Sequence, residues 1–195
     1  MGGTDLAIAT WNVNGLRARA ARVASWLDAT RPHIVLLQET KCDPDQVPSE
    51  LFSSRHYRWS ARGAGGRNGV LVASRVGLDE ERDDLAAFSS PDDPADAAEI
   101  PDLLAEPRFL SARCNGIRVA SVYAPNGREV GAPHWHAKLR WFRAIIGNVL
   151  FGLVSPAVGV IGAVALPRAG YLYGGGIHHL WLQVLQVSRN SRLWS

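Results

Sequence analysis

Two short apolar runs separated by an amphipathic segment restrict the fold of this chain more than any other feature. Leu6–Asn12 and His33–Gln38 are both apolar, and the second run shows none of the polar alternation of a strand with one face in water. Between them, apolar residues from Leu16 to Thr30 recur at helical spacing, and the segment ends before Pro32. A strand, a helix and a second buried strand predict a layered α/β fold.

Several further elements are predicted downstream. In chain order they are a loop with a short helix (42–56), a strand (57–60), a glycine-rich turn (61–69), a strand (70–75), an acidic solvated loop (79–102), a hairpin (108–127) and a helix (from His134 to Ile146). The hairpin is predicted because Asn115-Gly116 stands between two apolar runs.

The chain changes character near residue 144. All 18 carboxylates lie at or before Glu129, whereas residues 130–195 carry six basic residues and no acid. The net charge of +3 therefore comes from the tail, and it supports a nucleic-acid surface only weakly. Residues 144–166 are uncharged, and we expect their glycines and proline to interrupt any helix. We divide the chain into an N-terminal part, residues 1–143, and a tail, residues 144–195.

The cysteines and the N-terminus predict the compartment. Cys42 and Cys114 form no CxxC pair, which predicts a reducing compartment and no disulfide framework. No basic segment followed by an apolar run stands at the N-terminus, so we expect no signal peptide. Together these features predict a cytoplasmic protein.

Two motifs, A-T-W-N-V-N-G-L-R-A-R (Ala9–Arg19) and H-I-V-L-L-Q-E-T-K (His33–Lys41), resemble the exonuclease III family of AP endonucleases. This family belongs to the endonuclease/exonuclease/phosphatase superfamily, which has the deoxyribonuclease-I-like fold. The resemblance continues through N-G-V-L-V-A-S-R and Y-A-P-N-G and covers roughly residues 6–143. The family usually has an aspartate where this chain has His33, and we interpret that histidine as structural.

The second half of the family's signature is missing. The family continues with a G-D-F-N motif, a further aspartate and a closing S-D-H, whereas this chain has no acid after Glu129. We therefore expect an incomplete deoxyribonuclease-I-like α/β sandwich, with one sheet and flanking helices and with its C-terminal half missing or replaced. His178 and His179 are interpreted as an incidental pair, because no carboxylate lies near them in sequence.

Asn12 and Glu39 are the candidate metal residues, since each closes a predicted strand. Sites in open α/β sheets form at the carboxyl ends of the strands, and Mg²⁺ prefers oxygen ligands. We predict that Glu39 is the metal carboxylate and that Asn12 orients it or binds the Mg²⁺ (or Mn²⁺) through water. The alternatives are a turn-forming Asn12 that bonds its own backbone and a Glu39 that is only a surface residue.

Other candidates are a tyrosine and four polar or basic residues. The resemblance implies a catalytic role for Tyr123, because the family uses the matching tyrosine at its active site; the alternative is a half-buried strand tyrosine. The candidate contacts to DNA phosphates are Arg17, Lys41, Asn68 and Arg108. Contacts of this kind position a protein on DNA without reading its sequence, although many surface Arg and Lys residues are merely solvated.

The resemblance implies metal-dependent phosphodiester hydrolysis on double-stranded DNA, at abasic sites or 3′ ends, by a monomeric nuclease. Because the acids that order the attacking water are missing, we expect this chain to be weakly active or inactive. Loss of a general base by itself costs about 10²–10⁴-fold. The alternative function is that of a non-enzymatic remnant or a membrane-tethered interaction protein.

Residues 144–195 allow three interpretations. The first is a frameshift or a truncated reading frame, which fits the abrupt loss of acids and motif. The second is a membrane segment, because the uncharged run of residues 144–166 meets the length of roughly 20 residues needed to span a bilayer. The third is a divergent soluble segment that completes the core.

The frameshift interpretation predicts a specific result at the DNA level. Translation of all three frames downstream of the codons for residues 143–150 should restore a G-D-F-N-like motif and a later S-D-H. If no frame restores them, the tail is a genuine segment and the frameshift interpretation is wrong.

Overall fold

The predicted strand, helix and strand are present at the N-terminus of the computed structural model, which describes residues 6–84, 103–126, 129–153, 160–165 and 182–187. They are β1 (Leu6–Asn12), α1 (Ala20–Thr30) and β2 (Ile34–Gln38), with a 3₁₀ turn at residues 17–19 before α1. The two strands pair in parallel, so that Asn12 lies opposite Gln38. Their carboxyl ends therefore meet at one edge of the sheet.

The described strands form two sheets. The remaining elements are a 3₁₀ turn (Pro44–Gln46), α2 (Glu50–Ser53), β3 (Arg58–Ala64), β4 (Arg67–Ser74), β5 (Asp79–Arg82), β6 (Phe109–Cys114), β7 (Ile117–Tyr123), α3 (Pro133–Leu153), β8 (Val160–Ala165) and β9 (Leu182–Val187). The first sheet has the order β3-β4-β2-β1-β9, and the second has the order β5-β6-β7-β8.

The layered α/β class is confirmed, but the expectation of one sheet was wrong. The β6–β7 hairpin does not extend the first sheet; its apolar face packs against β2 and β4 and forms a second sheet. All residues of β2 are buried because the strand is covered on both faces. Val35 and Leu37 pack towards α1, whereas Leu36 packs towards the hairpin. Coverage on both faces explains why β2 lacks polar alternation.

Two local predictions need correction. The glycine-rich stretch 61–69 belongs mostly to strands β3 and β4, and only Gly65 and Gly66 form the turn. The acidic stretch 79–102 is not wholly loop, because Asp79–Arg82 pairs with β6 as an edge strand. Residues 85–102 lie outside the described residues. The turn at Asn115-Gly116 is confirmed, with positive φ at both residues, as a tight hairpin turn requires.

Helix α3 crosses the point where the composition changes. It runs from Pro133 to Leu153 through Gly147 and Gly152. The expectation that these two glycines interrupt a helix was therefore wrong. Its N-terminal half is anchored by Trp141 and Ala144, which pack against β6 and β7. Among the described helices, none has the length and apolar character needed to cross a membrane. The division at residue 144 stays a prediction, and His178 and His179 lie outside the described residues.

One buried amide joins the two sheets. Gln38, at the end of β2, is fully buried, and its Nε2 donates to Thr10 Oγ1 (3.1 Å) and Ser121 Oγ (3.1 Å). Ser121 Oγ in turn donates to the carbonyl oxygen of Leu37 at 2.7 Å. Because buried polar groups are costly unless they are hydrogen-bonded, these bonds hold β7 in one position against the end of β2.

The interpretation of His33 as structural agrees with its contacts. The imidazole Nδ1 accepts a hydrogen bond from the Ala7 backbone N–H at 3.0 Å. The backbone N–H of His33 donates to the Ala7 carbonyl oxygen at 2.8 Å. The histidine therefore fastens the start of β2 to β1, at the end of the sheet opposite Asn12 and Glu39.

Packing of the second sheet on β2 predicts a large difference between two leucine substitutions. Leu36→Ala removes a side chain buried between the sheets, so it should lower the free energy of unfolding by about 2–5 kcal/mol. Leu139→Ala, the same change at an exposed position of α3, should cost less than about 0.5 kcal/mol. Urea denaturation measures both values. Equal effects of the two substitutions would contradict the packing.

Candidate active site

Asn12 and Glu39 meet at the carboxyl ends of β1 and β2, as the sequence predicted. The Asn12 Nδ2 donates to Glu39 Oε1 at 2.8 Å. The other end of the same amide, Asn12 Oδ1, accepts from the Asn14 backbone N–H at 3.1 Å. The turn-forming and the orienting interpretations of Asn12 therefore describe the two ends of one side chain.

Glu39 is a shielded carboxylate with several donors. Its side chain is 17% exposed, and Lys41 Nζ lies 3.2 Å from its Oε2. Burial raises the pKa of Glu39, but hydrogen bonds from Asn12, Tyr123 and Lys41 outweigh burial and hold this pKa below its usual value. Glu39 is therefore ionised at neutral pH.

Lys41 binds two oxygen-bearing side chains of this edge. Besides its ion pair with Glu39, its ammonium donates to Asn14 Oδ1 at 2.5 Å. The Lys41 side chain is 39% exposed. The lysine therefore balances the charge of Glu39 while part of its side chain stays accessible to solvent.

Tyr123 reaches the same carboxylate from the second sheet. It is the last residue of β7, and its phenol forms a hydrogen bond with Glu39. Burial, together with the nearby charge of Glu39, raises the pKa of Tyr123 to about 12, although Arg108 opposes the shift. At neutral pH the phenol is therefore protonated and acts as a hydrogen-bond donor.

Arg108 contacts Tyr123, and it shares with Asn68 a partner, Glu106, that no sequence motif indicated. The Arg108 guanidinium lies over the Tyr123 ring, 5.0 Å from its centroid, and forms an ion pair with Glu106. Asn68 Nδ2 donates to Glu106 Oε2 at 3.0 Å. Glu106 lies outside the recognised motifs. The only sequence feature that could have indicated it is its position two residues before Arg108.

Arg17 stands apart from this group. It lies exposed in the 3₁₀ turn before α1, and its charge acts on Cys42, where burial raises the pKa of the thiol and Arg17 lowers it. The structure thus brings six of the seven predicted residues into one connected set of contacts and leaves Arg17 at the surface beside it.

The backbone around the site is held in an unfavourable conformation. Glu39 and Lys41 (φ 51° each), Asn14 (φ 45°) and Asn68 (φ 54°) all have positive φ, which L-residues rarely adopt. Interlocking bonds hold these turns, among them Lys41 N–H to the Asn68 carbonyl oxygen at 2.9 Å. Gly69 allows the close approach, because a Cβ there would lie 2.3 Å from Thr40 Oγ1.

The donor set fits a divalent cation that keeps most of its water. Mg²⁺ commonly takes one or two carboxylates and completes its shell with water, and the ionised Glu39 supplies one. Within the described residues, no three His, Cys, Asp or Glu side chains converge on a common point. Strand β8, next to β7, places Ala165 opposite Tyr123 and brings no carboxylate to this register.

Comparison with known proteins agrees with this arrangement. The chain matches the Endonuclease/Exonuclease/phosphatase family over residues 9–161. It is 30% identical over 149 residues to Recombination repair protein 1 of Drosophila melanogaster, an alignment that covers 70% of this chain and 18% of that protein.

Two solved structures are similar in fold and sequence. A 3′ phosphatase, NExo, from Neisseria, bound to a product DNA hairpin, is 30% identical with a TM-score of 0.67, covering 80% of this chain and 56% of that one. An AP endonuclease from Archaeoglobus fulgidus is 28% identical with a TM-score of 0.65, again covering 80% and 56%. The chain therefore spans little more than half the length of these solved relatives. Because the family match extends over most of its residues, the chain belongs to the endonuclease/exonuclease/phosphatase family.

Proposed function

We propose that this chain carries the metal-binding half of a Mg²⁺- or Mn²⁺-dependent DNA repair nuclease that acts at abasic sites and 3′ ends. The observation that carries the proposal is the ionised Glu39, held at the carboxyl ends of β1 and β2 by Asn12 and faced by the Tyr123 phenol. A hydrolytic family whose solved relatives include an AP endonuclease and a 3′ phosphatase supports the substrate class.

The side chains present account for part of the chemistry. A divalent ion at Glu39 would neutralise the scissile phosphate and polarise it for attack by water. Asn12 fixes the orientation of the carboxylate through its 2.8 Å bond. The protonated Tyr123 phenol is placed to donate to a phosphate oxygen beside the same carboxylate.

DNA binding is supported by positively charged side chains near the carboxyl ends of β1 and β2. The NExo structure contains a DNA hairpin, and this chain presents Lys41 and the exposed Arg17 near the site. We propose that both contact phosphates of double-stranded DNA, because such contacts position the duplex without reading its sequence. The chain is proposed to act as a monomer.

Within the described residues, no side chain is assigned to the remaining chemistry. Hydrolysis needs a group that orders the attacking water and one that protonates the leaving oxygen. Residues 130–195 contain no carboxylate, and β8 presents Ala165 beside Tyr123. The chain is therefore proposed to be weakly active or inactive when it is the only polypeptide present.

One observation favours a second candidate function, a non-enzymatic remnant that binds DNA. Lys41 Nζ lies 3.2 Å from Glu39 and 2.5 Å from Asn14 Oδ1, so an ammonium already balances the carboxylate. A site balanced in this way is stable without a divalent ion. Binding of an abasic duplex that does not change with Mg²⁺, without cleavage, would favour this candidate.

The nuclease proposal predicts weak cleavage that depends on Glu39. With an abasic-site duplex and Mg²⁺, the chain should cleave about 10²–10⁴-fold more slowly than a solved relative such as the AP endonuclease. Glu39→Gln should reduce this residual cleavage to background, because it removes the metal carboxylate. Glu50→Gln, the same change at an exposed position of α2, serves as the control. Turnover equal to that of the relative would overturn the proposed weak activity.

The pKa of Glu39 predicts how its contribution to stability depends on pH. This pKa is lower in the folded chain than the usual value of 4.5, so ionised Glu39 stabilises the fold above about pH 4.5. The contribution is lost as the pH falls through the folded-state pKa. The Glu39→Gln variant should therefore lose less stability than the wild type between pH 7 and pH 3, as measured by urea denaturation. A wild-type loss identical to that of the variant would contradict the ionised carboxylate.

A further inference from the structure

Arg108 was a candidate DNA contact, but the structure shields its side chain, which is 11% exposed, and places its guanidinium over the Tyr123 ring. We infer that Arg108 is a positioning residue that holds the Tyr123 ring against Glu39 and is itself held by Glu106. The inference rests on the proposed function only in treating Tyr123 as the phosphate-binding phenol.

The first argument is that the polar end of Arg108 is already occupied. Its side chain is 11% exposed, and its Nε pairs with Glu106 Oε2. The same Glu106 oxygen accepts from Asn68 Nδ2 at 3.0 Å, so the carboxylate is fixed from two sides. A planar guanidinium in such a pair has a defined orientation, unlike a mobile surface arginine.

The second argument is that Arg108 and Tyr123 face one another across the hairpin. The Tyr123 backbone N–H donates to the Arg108 carbonyl oxygen at 2.8 Å. The guanidinium then lies 5.0 Å from the centroid of the Tyr123 ring, within the range of a cation–π contact. The ring is therefore held by Arg108 on one face, while its hydroxyl is held by Glu39.

The third argument concerns exposure. Lys41 and Arg108 are each paired with a carboxylate, but the Lys41 side chain is 39% exposed whereas the Arg108 side chain is 11% exposed. A phosphate in solution therefore reaches Lys41 more readily than Arg108. The two cations thus have separate tasks: Lys41 faces the polyanion, and Arg108 fixes the tyrosine.

The hairpin offers a matched control at its other end. Arg118 is a similarly shielded arginine, 13% exposed, that pairs with Glu80 at 2.7 Å. It lies on β7 near Ile117, far along the strand from Tyr123. Arg118→Met therefore removes the same charge and a comparable ion pair without reaching the site.

The test compares Arg108→Met, Glu106→Gln and Arg118→Met by NMR of tyrosine-labelled protein, with Tyr123→Phe to assign the ring signal. If Arg108 positions the ring, Arg108→Met and Glu106→Gln should both shift or broaden the Tyr123 signal, and Arg118→Met should leave it in place. Glu106→Gln keeps the test valid if Arg108→Met does not fold. An unchanged Tyr123 signal in folded Arg108→Met or in Glu106→Gln would overturn the inference.

The second readout is the salt dependence of binding to an abasic duplex. A lost phosphate contact reduces the slope of log K against log salt by about 0.9, so Arg108→Met should keep the wild-type slope while Lys41→Met reduces it. A slope reduced by Arg108→Met would identify a DNA contact and overturn the inference. If the chain neither binds nor cleaves DNA, the proposed function fails, but the NMR comparison still decides the role of Arg108.

Discussion

The buried amide of Gln38 is the contact on which the rest of the site depends. It stands at the end of β2, one residue before Glu39, and bonds to Thr10 of β1 and to Ser121 of β7. Asn12 lies two residues after Thr10 on β1, and Tyr123 lies two residues after Ser121 on β7. One side chain therefore links the three strands whose ends form the site, and it adds a contact to β7 beside the backbone pairing of β1 with β2. A shift between the sheets would leave a buried amide without partners, which is costly.

Two ion pairs flank Tyr123 in the site. Lys41 pairs with Glu39 and Arg108 pairs with Glu106, and the neutral Tyr123 lies between Glu39 and Arg108. Each charge is partly balanced by its neighbours, which reduces the cost of shielding it from water. The strained turns at Glu39 and Lys41 persist because backbone bonds to neighbouring loops hold them.

The N-terminal half of the fold could be predicted from local patterns, whereas the contacts between sheets could not. β1, α1 and β2 follow from apolar periodicity, and the β6–β7 hairpin follows from Asn115-Gly116. The second sheet was missed because no local pattern says whether a hairpin extends a sheet or packs on its face. The Gln38–Ser121 bond joins residues 83 positions apart.

The residues of the site also divide into those that local sequence patterns predict and those that only the three-dimensional structure shows. Asn12, Glu39 and Tyr123 could be named because each ends a strand within a motif, but the assignment of Arg108 and Asn68 to DNA rested on residue type. Glu106, which binds both, belongs to no motif and becomes visible only in three dimensions. Long-range partners of this kind depend on packing, which residue type does not encode.

The pairing of β9 with β1 has a consequence for association between chains. β9 covers the side of β1 that does not face β2, with Leu6 opposite Val187 and Trp11 opposite Leu182. Without that cover, a parallel-paired and largely buried strand would present a row of free backbone N–H and C=O groups at the border of the sheet. Such a border is a template on which another polypeptide can add a strand. Residues 182–187 therefore satisfy the backbone groups of β1 on that side and move the border of the sheet from β1 to β9.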